Sequence, residues 1–285
     1  MISTQKGSSR ISVTFVLSSR HSGSTWVGYV LGSTPESAFL GEFYRAWDEH
    51  ARVPCTVCAG RGLRACTVLH GIESTRPEYA FDIAAKRTSK RMLIDSSKQL
   101  EWTAKFLDRD NIDVRFVHIF RDPRGWLSSF RRRYVGTRDE ALALWCKENR
   151  EFHDLIGSTG GRGVSVNYDL LALSPKRLFS DLFDFCGLPF SDASLYYWNT
   201  EHHGFAANGA SEALIKNSNL IAPPSHFATG DDAFYKEHSQ HLFHDTRWQA
   251  ELTSEENAAI QQNEEVKTLL ASLNFRLTDD SIVPF

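Results

Sequence analysis

The alternation of strands and helices along this chain predicts an α/β fold: a mostly parallel central sheet with helices on both faces. Three observations carry that reading. Short apolar runs bounded by polar clusters recur at Ile11–Leu17, Arg91–Asp95, Val114–Phe120 and Gly163–Tyr168. The stretches between them place apolar residues at helical spacing. The first run passes straight into a Ser/Gly turn and then an apolar helix, the start of a βαβ arrangement.

Taken in order, Ile11–Leu17 is β-branched and reads as a buried strand, and Thr25–Leu31 as a buried helix ended by Gly32 and Pro35. Phe39-Leu40-Gly41 is a short apolar run able to form a strand that delivers Glu42. Arg91–Asp95 is the next strand, with Trp102 and Phe106 four apart on a helix behind it. After Val114–Phe120, Asp122 is placed to N-cap a helix with Pro123 at its first position and Leu127, Phe130 and Tyr134 as its stripe. Leu142, Trp145, Phe152 and Ile156 mark a further helix, which Gly157 is expected to end. Beyond strand Gly163–Tyr168, Ser174-Pro175 opens a helix stopped by Gly187 and Pro189. Thr253 and Glu256 have capping-box spacing ahead of a helix whose apolar face includes Val266, Leu269 and Leu270. The stretch from about 195 to 245 is polar, His-rich and dotted with Gly and Pro, and is expected to be loop, with the character of a mobile lid.

The chain has 285 residues, enough for one large α/β domain over 1–285, and its 41% apolar content supports a real core. A net charge of −3 argues against a nucleic-acid or membrane-surface partner, and no run approaches the length of a membrane span. The basic start MISTQKGSSR is followed only by the brief ISVTFVL, which is too short for a secretory signal, so a soluble cytoplasmic protein is expected. Five cysteines do not suggest a secreted disulfide framework.

The chemistry concentrates in two places. Strand, then Ser-Arg-His-Ser-Gly-Ser-Thr, then helix gathers backbone N–H groups and the positive end of a helix dipole at one point. Gly23 permits close approach, Ser22, Ser24 and Thr25 add hydroxyls, and Arg20 and His21 add side-chain donors. The lysine that an ATP-cleaving phosphate loop uses on the β- and γ-phosphates is missing. The second place is the end of Val114–Phe120, where Arg121 is followed eight residues later by Ser129 on the next helix. Arginine suits forked contacts to phosphate. Arg131, Arg132 and Arg133 read as an exposed, solvated face.

Together these elements resemble the sulfotransferase superfamily that uses 3′-phosphoadenosine 5′-phosphosulfate (PAPS), whose architecture is P-loop NTPase-like. Ser22-Gly23-Ser24-Thr25 is similar to the family's 5′-phosphosulfate loop. Arg121 with Ser129 is similar to its 3′-phosphate pair. Gly41-Glu42, Asp95-Ser96-Ser97-Lys98, the Asn167-Tyr168 segment and the stretch from Trp248 to Glu256 match further family motifs in order, most closely those of bacterial members. The resemblance implies PAPS as donor, adenosine 3′,5′-bisphosphate (PAP) as product, and a small-molecule or glycan acceptor offering a hydroxyl or amine. The family has Lys or Arg just before the Ser-Gly. Here that position is His21, so either Arg20 swings in or His21 serves as a protonatable donor, in which case activity falls as His21 loses its proton.

Sulfuryl transfer resembles phosphoryl transfer in needing a base for the acceptor proton and donors around the transferring group. The resemblance points to Glu42 as base and to Lys98, with Ser97 beside it, as the group that stabilises the transferring sulfuryl, with His118, His202 and His203 as residual bases. The plain alternatives are a surface glutamate at Glu42 and a helix cap made by Asp95, Ser96 or Ser97. Trp26 and Tyr168 either line the adenine, as the resemblance implies, or are core aromatics. Tyr44, Trp47 and Tyr196 to Trp198 are candidates for the acceptor pocket. A Cys-containing insert at about 48–78 carries Cys55, Cys58, Cys66 and His70, a set able to bind zinc, but reduced thiols are the favoured reading and no metal is assigned. The competing functions are a P-loop small-molecule kinase and a nucleotide-binding protein without catalysis.

Overall fold

The computed structural model describes residues 10–48, 55, 66–205, 234, 237–238 and 241–285. Its centre is a sheet of five strands: β1 (Ile11–Ser18), β2 (Ser37–Phe39), β3 (Met92–Asp95), β4 (Ile112–Phe120) and β5 (Gly163–Asn167), in the order β2-β3-β1-β4-β5. Every pairing is parallel, Val13 lying beside Leu93 on one side and Val114 on the other. A parallel sheet needs both faces covered, and β1 meets that demand residue by residue. Val13, Phe15 and Leu17 point into one apolar cluster with Phe81, Trp102 and Phe106. Val16 points into the opposite cluster with Val27, Tyr29 and Val30.

The covering helices are α1 (Ser24–Leu31), α2 (Ala80–Thr88), α3 (Leu100–Ala104), α4 (Pro123–Arg131), α5 (Arg138–Ser158), α6 (Tyr168–Leu173) and α7 (Pro175–Cys186). The expected N-cap of α4 is present: the Asp122 carboxylate accepts from the Arg124 N–H at 2.9 Å with Pro123 behind it. A third apolar cluster joins α4 and α5 to two C-terminal helices, Ser254–Gln262 and Glu264–Ser272, and to a β-hairpin of Phe275–Leu277 with Ile282–Pro284.

Several boundaries differ from the sequence reading. Helix α5 runs through Gly157 to Ser158, because its Thr137–Glu140 capping box and buried Trp145, Asn149 and Phe152 outweigh one helix-weakening glycine. Tyr168 begins α6 rather than ending β5; Asn167 caps that helix by accepting from Leu170 N–H at 2.9 Å. The capping box of Thr253 and Glu256 opens a helix that stops at Gln262, and Asn263 caps the second one carrying Val266, Leu269 and Leu270. Helix α2 and the final hairpin had no clear signal. Most of the 48–78 insert and much of the 195–245 region, including the lid reading, lie outside the described residues. No helix among the described residues is long and apolar enough to cross a membrane.

Candidate active site

Each of the five parallel strands delivers one site element at its carboxyl end. β1 opens into the 19–23 loop, β2 leads to Glu42, β3 to Lys98, β4 to Arg121 and β5 to Tyr168. Ligands of open α/β sheets bind at this edge, where connections leave a central strand in opposite directions. Here β1 is that strand, with β3 and β4 on its two sides.

The loop after β1 is built to present backbone. Gly23 has φ 93° and is the N-cap of α1, and no side chain caps that helix end. A Cβ on Gly23 would sit 2.5 Å from the Tyr168 ring. The loop is braced from beneath: Ser22 and Ser19 hydroxyls are 2.8 Å apart, Asn149 Nδ2 donates to Ser19 at 3.3 Å, and Asn149 Oδ1 meets His118 Nε2 at 3.0 Å. Trp126 Nε1 donates to the Arg20 carbonyl at 2.5 Å, tying the loop to α4. Gly23→Ala is expected to lower stability by about 2–3 kcal/mol, combining left-handed strain with overpacking against Tyr168. Urea unfolding measures it, and a loss below about 0.5 kcal/mol, the usual size of a surface substitution, would contradict the reading.

Arg121 lies across this loop. Its Nη1 donates to the His21 carbonyl at 3.3 Å and its guanidinium stands 4.8 Å above the Tyr168 ring. Gly125 makes the position possible, since a Cβ there would be 3.0 Å from Arg121 Nε. Arg121 also pairs with Asp245, Nη2 to Oδ2 at 3.2 Å. Ser129 is buried in the second turn of α4, its hydroxyl accepting from Arg133 Nη1 at 3.3 Å. Arg132 and Arg133 are therefore not a solvated face. Both are half-buried, and Arg132 is held by Glu251 and lies 3.8 Å from Asp245; only Arg131 is exposed.

His21 is half-buried, in the left-handed region at φ 65°, and its buried Nε2 has no hydrogen-bond partner among the described residues. Burial, then the charges of Arg133, Lys98, Arg121 and Arg20, hold its pKa down to about 3. Without a bound anion, burial and the surrounding cations leave His21 neutral at pH 7, so the protonatable-donor alternative needs a bound anion to raise its pKa. Arg20 stands on the rim, its side chain 57% exposed, 3.9 Å from Glu148 and facing the Tyr134 ring.

Glu42 and Lys98, 56 positions apart, are in direct contact: Nζ to Oε1 is 2.7 Å, and Arg45 Nε meets Oε2 at 2.7 Å. Burial raises the Glu42 pKa, but Lys98 and Arg45 outweigh it and bring it below the ordinary carboxylate range, so Glu42 is ionised. The pairing is organised by Asp95. Its fully buried carboxylate accepts from Ser97 N–H at 2.7 Å, from the Ser97 hydroxyl, from Trp102 Nε1 at 2.7 Å and from Phe43 N–H at 3.4 Å. Ser97 in turn accepts from Tyr44 N–H at 3.1 Å. These groups do not cap α3, whose N-cap is Gln99. They fasten the Glu42 segment to a turn in which Lys98 takes φ 54°, a strained value for a non-glycine residue.

Trp26 and Tyr168 meet edge to face at 5.8 Å, with Trp26 also against Phe179 and half-buried. The residual histidine bases are placed elsewhere. His118 lies between β4 and α5, bonded to Asn149 and Ser165, and burial lowers its pKa to about 4. His202 packs on Tyr29 and meets the Tyr197 carbonyl at 3.0 Å. His203 sits with Cys55 and Cys66. Of the candidate acceptor aromatics, Trp47 donates to Thr75, and Tyr197 stacks on Tyr29; both serve the core.

Four contributors escaped the sequence reading: Asp245, Arg133, Arg45 and Glu148. Glu148 had a signal, an acid within the buried Trp145–Asn149–Phe152 stripe of α5; burial raises its pKa. Asp245 had none, because its partner Arg121 is 124 residues away.

No curated protein sequence matches this chain. Among solved structures it is similar to the sulfotransferase domain from the curacin biosynthetic pathway (16% identity, TM-score 0.65, covering 94% of this chain and 99% of that one). It is also similar to the sulfotransferase domain of the olefin synthase from Synechococcus PCC 7002 (19% identity, TM-score 0.62, covering 96% and 98%). At these identities the likeness establishes the fold, a sulfotransferase α/β architecture of the P-loop-like kind. The model of the Sulfotransferase family matches residues 14–192, more than half of the chain and the span holding β1 through α7, so this protein belongs to the sulfotransferase family.

Proposed function

We propose that this sulfotransferase moves a sulfuryl group from PAPS to a hydroxyl or amine of a small-molecule or glycan acceptor, with Glu42 as base. The observation that carries the reading is the junction of two anion cradles. Arg121 touches the His21 carbonyl and covers Tyr168, which itself packs on Gly23. One bisphosphorylated nucleoside would thus span the Gly23 loop and the Arg121–Ser129 pair.

The residues fit such a ligand on two counts: the side-chain-uncapped end of α1 and the unpartnered, buried His21 Nε2. PAPS supplies the sulfuryl group and leaves as PAP. The N–H groups at the start of α1, with Ser22, Ser24 and Thr25, bind the 5′ end. Arg121, Ser129 and the nearby Arg133 bind the 3′-phosphate, and Trp26 and Tyr168 flank the base. Lys98 turns from Glu42 toward the sulfuryl oxygens. Releasing that ion pair raises the basicity of Glu42 as the acceptor proton must be taken.

A labelled-phosphosulfate transfer assay across a metabolite panel, with Glu42→Gln beside the wild type, tests the proposal. The variant is expected to lose turnover on the order of 10²–10⁴-fold while keeping its affinity for PAP. Unchanged turnover would remove Glu42 from the mechanism. Mg²⁺-dependent ATP turnover without phosphosulfate transfer would replace the proposal with a kinase.

A further inference from the structure

The insert that the sequence reading left as reduced thiols meets the chain again at an unexpected partner. Cys55 and Cys66 are fully buried beside Phe43 and Phe205 in an apolar cluster. The third member of their group is not His70, which is exposed, but His203, from a segment 137 residues downstream of Cys66. Cys55 Sγ is 3.5 Å from His203 Nδ1, Cys66 Sγ is 3.6 Å from the same atom, and all three atoms lie within 4.8 Å of one another. From this geometry we infer that Cys55, Cys66 and His203 are ligands of a structural zinc ion that ties the insert to the strand edge carrying Glu42.

The distances fit a shared metal ion. Zn–S and Zn–N bonds of about 2.3 and 2.05 Å at the tetrahedral angle put sulfur and nitrogen about 3.6 Å apart. Both observed separations match that edge. His203 Nε2 faces Glu201 Oε1 at 2.8 Å, a contact that favours the Nε2–H tautomer, with Nδ1 as the ligating atom. Two sulfurs thus converge at nearly equal distance on one ring nitrogen, the arrangement a shared cation would hold. The carboxylate behind the imidazole is the usual outer partner of a zinc-bound histidine. The Leu69 N–H, 3.2 Å from Cys66 Sγ, supplies the same support to a thiolate. Two sulfurs and an imidazole nitrogen favour zinc over hard cations.

The position explains what the ion would hold. Phe205, two residues past His203, donates to the Leu40 carbonyl at 2.9 Å and accepts from Glu42 N–H at 2.7 Å. Its backbone also bridges to Cys55. Gly41 leaves room for this crossing, since a Cβ there would be 2.0 Å from the Phe205 carbonyl oxygen. Three segments distant in sequence are thereby clamped at the peptide that presents Glu42.

Full-length protein purified from zinc-supplemented medium without chelator is expected to carry about one zinc per chain by plasma mass spectrometry. Cys66→Ser and His203→Ala should each lose most of it, whereas His70→Ala should keep it. Replacing zinc by Co²⁺ in the wild type is expected to give thiolate-to-cobalt charge-transfer bands and intense tetrahedral d–d bands, a readout that does not depend on any variant folding. Chelation should lower the melting temperature, and zinc should restore it. Absence of both zinc and the cobalt spectrum, full retention of metal by His203→Ala, or a Cys55–Cys66 disulfide in the purified protein would each overturn the assignment. None of these measurements depends on sulfuryl transfer.

Discussion

Arg121→Ala is expected to weaken binding of PAP by roughly 10²–10³-fold, the loss of about 3–4 kcal/mol that follows removal of a buried, charge-assisted contact. The guanidinium is 94% shielded and already oriented by the His21 carbonyl, the Tyr168 ring and Asp245. A ligand phosphate would meet a donor set that needs little reordering. The fold should survive the change, because Asp245 retains Arg247, Nε to Oδ1 at 2.8 Å. Burial opposes ionisation of Asp245, but hydrogen bonding from Arg247 and the charges of Arg121 and Arg247 outweigh it and keep its pKa well below the carboxylate range. Arg131→Ala, on the exposed side of α4 against Glu256, serves as control and should change affinity less than about twofold. Calorimetric titration with PAP makes the comparison. Equal affinity for wild type and Arg121→Ala would remove the 3′-phosphate assignment and with it the shared-ligand reading.

A steep loss of stability on mild acidification is the second large effect expected. Burial lowers the pKa of His118 and of His202 to about 4, and burial with neighbouring cations lowers that of His21 to about 3. All three lie below the unfolded value near 6.5, so between those limits the unfolded chain binds more protons than the folded one. Stability is therefore fully present above about pH 6.5 and falls as the pH drops below it. At pH 5 each histidine costs about 2 kcal/mol, or about 6 kcal/mol for the three. Asp95 acts in the opposite sense. Burial raises its pKa to about 6, so it favours the fold as pH falls from 6 toward 4, by about 1 kcal/mol at pH 5. The histidines win. Urea unfolding at pH 7.5 and pH 5 measures the net difference, and His118→Gln should remove about two fifths of it. A flat profile over that range would contradict neutral burial of these rings.

Much of this protein was legible in residue order because its signals are local. A β-branched run, a Gly among small hydroxyl residues and an apolar helix are contiguous, so β1, the loop and α1 follow from short-range rules. Asp122-Pro123 marks the start of α4 in the same way. A motif spaced by eight residues, Arg121 and Ser129, stays within one strand end and one helix. The weaker signals were those where two local rules compete: Gly157 against a long amphipathic stripe, and Tyr168 against the cap supplied by Asn167. Arg132 and Arg133 read as solvated because nothing near them in sequence reveals Glu251 or Asp245.

The order of residues by itself determined the parallel α/β plan and the placement of the Gly23 loop and the Arg121–Ser129 pair, since each rests on the conformational preference of a few adjoining residues. Tertiary structure alone decided that Lys98 reaches Glu42, that Asp245 reaches Arg121, and that His203, not His70, joins Cys55 and Cys66. Those contacts join segments up to 148 positions apart. They arise from the stacking of parallel strand ends, whose relative placement depends on how the whole sheet buries its two faces.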